Sequence, residues 1–299
     1  MDRLRAISRL TLGTVQLGMR YGVVNTVGDP GADGARAVLD AAWKADICCI
    51  DTARVYGEAE ARIGEWRASR GHAPVLISKL PKLSKAKNPA EIEALFMQST
   101  AALRTHQIDG YLCHSPADLS NRIVRSSLEH LLEQGRITCF GVTLYSETEL
   151  DAALTVPGLG IVQLPISLAN PHFAKSGSVA KAAERGILVF ARSVYLQGVL
   201  LTPPQNLPPW LSPLADPLQR LRNLAREIGV EVSTLALAAV NSIPGIHSIV
   251  IGAETPSQLE QSVAALRAAP LQPTVIEEAW SLFKNIPDEL SDPSRWPVR

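Results

Sequence analysis

Residues 47–51 read Ile-Cys-Cys-Ile-Asp and residues 75–80 read Val-Leu-Ile-Ser-Lys-Leu. Each is a short apolar run interrupted near its end by a charged side chain, Asp51 in the first and Lys79 in the second. Runs this short, with no polar–apolar alternation, read as strands buried on both faces, the pattern of a parallel sheet. Outward from these two, the same kind of run recurs at 10–15, 110–114, 138–143, 161–166, 187–192 and 248–252. Helical patterns lie between them, at 35–44, 89–105, 121–134 and 256–268 among others. Helix-start residues precede several: Asn88 before Pro89, Ser120 before Asn121 and Thr255 before Pro256, with capping-box spacing from Ser146 to Glu149. Eight strands alternating with helices predict an α/β fold, a (β/α)8 (TIM) barrel forming a single domain over residues 1–299. An open doubly wound sheet is the alternative, but the G-x-G-x-x-G turn of its dinucleotide-binding form is missing. Gly28, Gly31 and Gly34 come nearest; Asp29 and Asp33 among them would repel phosphate, so the segment reads as a solvated turn.

One connection breaks the rhythm. After the seventh strand comes a long proline-rich insert, residues 200–217, with Pro203, Pro204, Pro208, Pro209, Pro213 and Pro217. The prolines stiffen it and Trp210 and Leu211 give it something to bury, so it is expected as a wall or lid over one end of the barrel, followed by helical patterns at 218–228 and 233–240. Composition narrows the function classes. The 299 residues carry 29 Lys+Arg against 29 Asp+Glu, and zero net charge lacks the basic footprint of a nucleic-acid or membrane-surface protein. No run reaches the roughly 18 apolar residues of a membrane span. Asp2, Arg3 and Arg5 lead into no signal-peptide core, so a cytoplasmic location is expected. Cys48, Cys49, Cys113 and Cys139 sit in apolar runs without a C-x-x-C pair; they read as buried thiols, and no metal site is expected.

Polar residues mark the strand ends: Asp51, Ser78 with Lys79, His114, Thr143, Gln163, and Arg192 with Ser193. A barrel gathers these carboxyl ends on one face, where barrel enzymes do chemistry. Taken singly, each has a structural explanation: Asp51 as a turn cap, Lys79 snorkelling to water, His114 as a loop imidazole. Jointly, an Asp and a Lys ending neighbouring strands form a pair that is expensive to bury without a purpose. Tyr56 lies five residues after Asp51, in the loop leaving the same strand. A phenol titrates near about 10, and a neighbouring ammonium is expected to lower that value, with Asp51 holding the ammonium in place. His114 would orient a substrate oxygen. The constellation suits protonation of a carbonyl oxygen as it becomes an alcohol. A Schiff-base role for Lys79 is the competing chemistry, but it needs a neutral amine and Asp51 would keep the charge.

Residues 51–57 (DTARVYG), 77–80 (ISKL) and 111–116 (YLCHSP) resemble the aldo-keto reductases, (β/α)8 barrels that reduce aldehydes and ketones with a nicotinamide cofactor. The resemblance covers the whole chain and implies a catalytic tetrad of Asp51, Tyr56, Lys79 and His114. Residues 12–14, with Gly13 and Thr14, look like the family's first strand. Gln163 and Thr143 stand where the family holds the nicotinamide carboxamide, though Leu144 replaces the usual Asn. Ser193 follows the family pattern, and Arg192 stands where an aromatic side chain often stacks on the ring. Residues 251–262 resemble the adenosine-phosphate loop and its helix, which puts Gly252, Glu254, Gln258 and Gln261 at the cofactor, beside Asp51. Family habit implies NADPH; Glu254 would repel a 2′-phosphate and makes NADH the alternative. Tyr21, Arg54 and Trp210, with Tyr56 and His114, are the candidate substrate contacts. The implied function is an NAD(P)H-dependent oxidoreductase acting on a small aldehyde or ketone, sugar-like carbonyls included, with Tyr56 as proton donor. The alternative is a nucleotide-binding regulatory subunit with a reductase fold and little turnover.

Overall fold

A computed structural model describes residues 1–25, 28–83 and 88–296. Eight parallel strands close into one barrel in chain order: β1 (Leu10–Gly13), β2 (Cys49–Asp51), β3 (Val75–Lys79), β4 (Ile108–Cys113), β5 (Ile137–Thr143), β6 (Leu159–Pro165), β7 (Leu188–Arg192) and β8 (Ile246–Gly252). Closure comes from β1, which pairs with both β2 and β8. The (β/α)8 barrel read from the sequence is the observed fold, and each strand lies within a few residues of its expected run.

Side chains alternate across each strand, so the barrel separates two cores. Outside, Leu12, Ile50, Leu76, Phe140 and Val162 pack under the helices. Inside, Cys49, Ile77, Leu112, Cys139, Ile161 and Phe190 fill the barrel itself. Two residues beyond an interior position lies the next interior position. That step carries Cys49 to Asp51, Ile77 to Lys79, Leu112 to His114, Ile161 to Gln163 and Phe190 to Arg192. The polar strand ends are therefore the top layer of the barrel's own interior.

The opposite end is closed by the short helix Asp2–Arg5, whose Leu4 is fully buried in the interior cluster. The Leu4 carbonyl accepts a hydrogen bond from His247 Nε2 at 2.7 Å. Several local expectations need correction. The helix expected from residue 35 runs Gly31–Lys44, because Asp29 accepts the Gly31 N–H at 2.9 Å and also pairs with Arg62. Asn121, not Ser120, caps the helix Arg122–Glu133 by accepting the Ile123 N–H at 2.9 Å; Ser120 instead ends the separate short helix Pro116–Ser120. Asn88, Thr255 and the Ser146–Glu149 capping box act as expected. The insert is stiff, and its stiffness takes the form of short helical turns. It folds into 3-10 turns at Val199–Leu201, Pro204–Asn206 and Pro209–Leu214, and the helix Ala215–Glu227 begins within it. Prolines opening the second and third turns supply the fixed φ that such turns use, while Leu211 and Leu214 bury completely. Cys48 is half-buried, whereas the other three thiols are buried. Among the described residues no helix is long and apolar enough to cross a membrane.

Leu4→Ala is expected to leave a cavity at the closed end and cost about 2–5 kcal/mol of stability. Urea unfolding checks this; a change under about 0.5 kcal/mol would show that the helix is not part of the cooperative core.

Candidate active site

The top layer surrounds a cavity of about 870 Å³. Lys79 and Asp51 lie at its floor with side chains only 2% and 6% exposed. The ammonium donates to Asp51 Oδ1 at 2.8 Å, to Asp51 Oδ2 at 2.7 Å and to the Thr52 carbonyl at 2.9 Å. Gln163 Nε2 adds a donor to Asp51 Oδ1 at 2.5 Å. Burial pulls the Lys79 ammonium below its ordinary range, and Asp51 opposes that pull.

Tyr56 rides on a turn whose position is set by two glycines. A Cβ on Gly18 would lie 1.9 Å from the Tyr56 carbonyl oxygen, and one on Gly57 would lie 2.3 Å from the Gly18 oxygen. Gly57 also has φ +54°, the left-handed region open to glycine. The Tyr56 ring lies 5.1 Å from Lys79 Nζ and meets the His114 ring edge-on at 6.1 Å. The expected lowering of the phenol by Lys79 is not what the geometry gives. All three ammonium protons are already committed to Asp51 and Thr52. Burial first, and the Asp51 carboxylate second, push the Tyr56 phenol well above its ordinary value, with Arg192 opposing. The phenol is therefore held protonated. Burial, Lys79 and Arg192 push the His114 imidazole down to about 3, so it is neutral near pH 7. Its Nδ1 is buried without a hydrogen-bond partner.

Thr143 and Gln163 are register partners on β5 and β6, and both line the cavity. Thr143 Oγ1 and Gln163 Oε1 are buried with no hydrogen-bond partner. One can donate and the other accept, which fits a planar carboxamide presented between them. Leu144 is fully buried in the outer core. Gly13, Thr14, Arg192, Ser193, Gly252, Glu254, Gln258 and Gln261 also line the cavity. Ser193, Leu196 and Gln197 have φ of 61°, 49° and 53°, a cluster of left-handed non-glycine residues after β7, of which Ser193 and Gln197 line the cavity.

Tyr21 lines the cavity, accepting from Gln197 Nε2 at 3.1 Å, and burial pushes its phenol up to about 12. Two sequence candidates lie elsewhere. Trp210 packs edge-on against Trp296 at 5.2 Å and is not among the cavity-lining residues, because its 3-10 turn faces the C-terminal segment. Arg54 is also absent from the lining; it turns to the buried Glu60 carboxylate at 3.3 Å, which in turn accepts from Ser78 Oγ. The sequence reading missed Gln16, Arg20, Tyr145 and Gln197, all on the cavity wall. Tyr145 had a signal, an aromatic two residues past a polar strand end; the others lie in loops whose path no pattern reveals. The insert contributes Leu201, Thr202, Pro203, Asn206 and Pro208 to the wall.

Comparison with known proteins shows the family and the fold. The family model described as the aldo/keto reductase family matches residues 9–282, and the chain belongs to that family. A curated relative, the uncharacterized oxidoreductase YtbE of Bacillus subtilis (strain 168), is 29% identical over 160 residues, which span 52% of this chain and 56% of that one. The aldo-keto reductase AKR11C1 from Bacillus halodurans, in its holo form, is similar with a TM-score of 0.77 at 20% identity over 96% of both chains. The glycerol dehydrogenase AKR11B4 from Gluconobacter oxydans is similar with a TM-score of 0.74 at 21% identity, over 98% of this chain and 94% of that one. At these identities the structural likeness is one of fold.

A neutral His114 is expected to show imidazole NMR shifts that stay flat from pH 8 to pH 5. Its unfolded pKa is near 6.5 and its folded pKa about 3, so the unfolded chain takes up the proton first. Stability is expected to fall as pH drops through that window, less so in His114→Gln. A His114 titration near 6.5 would contradict the burial argument.

Proposed function

We propose that the protein is an NAD(P)H-dependent carbonyl reductase in which Tyr56 gives the proton. The observation that carries this reading is the Tyr56 ring beside the cavity, 5.1 Å from Lys79 Nζ and edge-on to the His114 ring at 6.1 Å, next to the buried Asp51–Lys79 pair. A nicotinamide cofactor, which the cavity-lining Gln163 and Thr143 would hold, would supply a hydride to the carbonyl carbon. Gln163 Oε1 and Thr143 Oγ1, both lacking partners, would hold its carboxamide. The carbonyl oxygen gains negative charge as the hydride arrives and takes the Tyr56 proton, giving the alcohol. Neutral His114 can donate a hydrogen bond to the same oxygen and orient it without adding charge. Lys79 faces the phenol ring and leaves the phenolate near a cation once the proton has gone. The substrate in this reading is a small carbonyl compound.

Glu254 governs the choice of nucleotide in this reading. It is half-buried and accepts from Gln258 Nε2 at 3.5 Å, and burial raises its carboxyl above the usual range. The cations lining the cavity, Arg20, Lys79 and Arg192, all come from outside residues 251–262. A carboxylate there suits a ribose diol better than a 2′-phosphate, which supports NADH over the NADPH implied by family habit.

Tyr56→Phe is expected to lower kcat by about 10²- to 10⁴-fold while nucleotide binding changes little. Nucleotide oxidation with an aldehyde panel, beside fluorescence titration of the nucleotide, measures both. Full turnover in the variant would remove Tyr56 as donor, and tight binding without turnover in the wild type would favour a regulatory subunit. Glu254→Arg is expected to raise the NADPH-to-NADH ratio of kcat/KM by about tenfold or more; an unchanged ratio would place Glu254 outside the ribose site.

A further inference from the structure

Arg192 lines the cavity with no carboxylate partner among the described residues. It ends β7 two residues after Phe190, in the polar top layer of the barrel interior. Nη1 donates to Ser193 Oγ at 3.3 Å. Nε and Nη2 are buried, and neither has a hydrogen-bond partner. Of the two acids lining the cavity, Asp51 is engaged by Lys79 and Gln163, and Glu254 by Gln258. Withdrawing donors of a cation from water without an acceptor is costly, so natural proteins keep such groups for a ligand or an ordered water.

The direction of the head group narrows the ligand. The guanidinium carbon lies 4.7 Å over the Tyr145 ring, a residue just past β5. From β7 the side chain thus leans across β6, away from β8 and the residues around Glu254. It is a cation felt by Tyr21, Tyr56 and His114 alike. It shares the cavity with the phenol and imidazole that handle the proton and with Gln163 on β6. Nε–H and Nη2–H lie on one edge of the planar guanidinium and point in parallel, the fork that matches the two oxygens of a carboxylate.

We propose that Arg192 determines substrate specificity by gripping, through Nε and Nη2, the carboxylate of an acid-bearing carbonyl compound, an oxo acid or acid semialdehyde, while its carbonyl meets Tyr56 and His114. This rests on the carbonyl-reductase reading above. The reaction stays balanced as before: one hydride to carbon, one proton to oxygen, and the carboxylate unchanged.

The test compares succinic semialdehyde and 4-carboxybenzaldehyde with their methyl esters, and glyceraldehyde 3-phosphate with glyceraldehyde. Wild type, Arg192→Met and Arg192→Lys are measured in each case. The expected result is an acid-over-ester preference in kcat/KM of about 10- to 100-fold that collapses toward parity in Arg192→Met. Arg192→Lys is expected to fall between, because it keeps the charge and loses the fork. Equal use of acid and ester by the wild type, or an unchanged ratio in Arg192→Met, overturns the proposal. A preference confined to the phosphate pair overturns it as well, and names phosphate as the anion. Loss of nucleotide affinity in Arg192→Met with the acid-to-ester ratio intact assigns Arg192 to the cofactor instead. Tyr56-dependent reduction of esters without preference for acids leaves the reductase reading standing and removes only this one. Where no carbonyl turns over, titration of the nucleotide-saturated protein with benzoate and benzamide decides. Benzoate binding weakened about tenfold or more by Arg192→Met supports the carboxylate site; benzamide binding as tightly as benzoate overturns it.

Discussion

The ammonium of Lys79 and the carboxylate of Asp51 meet at 2.7 Å in the floor of the barrel, almost wholly withdrawn from water. Desolvating two charges is worth undertaking only where every hydrogen-bonding valence is met. Here Lys79 spends its three protons on Asp51 and Thr52, and Gln163 supplies a further donor to the carboxylate. β2, β3 and β6 are thereby tied through their upper ends. Loss of either partner would leave an unpaired charge in the barrel interior. The pair also sets the electrostatics of its neighbours: Asp51 helps keep the Tyr56 phenol protonated, and Lys79 helps keep the His114 imidazole neutral.

Around that fixed pair the site is shaped by backbone rather than by more charge. The Gly18–Gly57 contact sets the approach of the Tyr56 turn to the chain after β1, where even one methyl group would collide. Across the cavity, Ser193, Leu196 and Gln197 hold left-handed conformations, each costing of order 1–3 kcal/mol. The surrounding packing must over-determine such a loop, and Val194, Leu196, Val199 and Leu200 are all buried to do so. Both features join segments far apart in sequence.

The fold was legible because burial on both faces leaves a clear mark: eight short apolar runs, separated by amphipathic helices, admit few architectures. The polar residues ending those runs were legible for the same reason, since Asp51, Lys79, His114 and Gln163 are conspicuous against apolar neighbours. The insert's 3-10 turns have no periodic pattern that reads as helix, because prolines punctuate them. Arg54 and Trp210 looked like site residues by proximity in sequence. Each instead found a partner in space, Glu60 for one and Trp296 for the other.

Sequence by itself determined the strand count, the alternation that closes the barrel and the identity of the polar top layer. These follow from local pattern and the two-residue period of a strand. Tertiary structure alone decided the protonation states and the free valences. A phenol's pKa depends on which groups desolvate it, and Lys79 proved unavailable to Tyr56 only once its three donors were placed. Likewise, Arg192 is left without a carboxylate partner because folding engages Asp51 with Lys79 and Gln163, and Glu254 with Gln258. Such facts are sums over neighbours brought together by folding, and no stretch of sequence contains them.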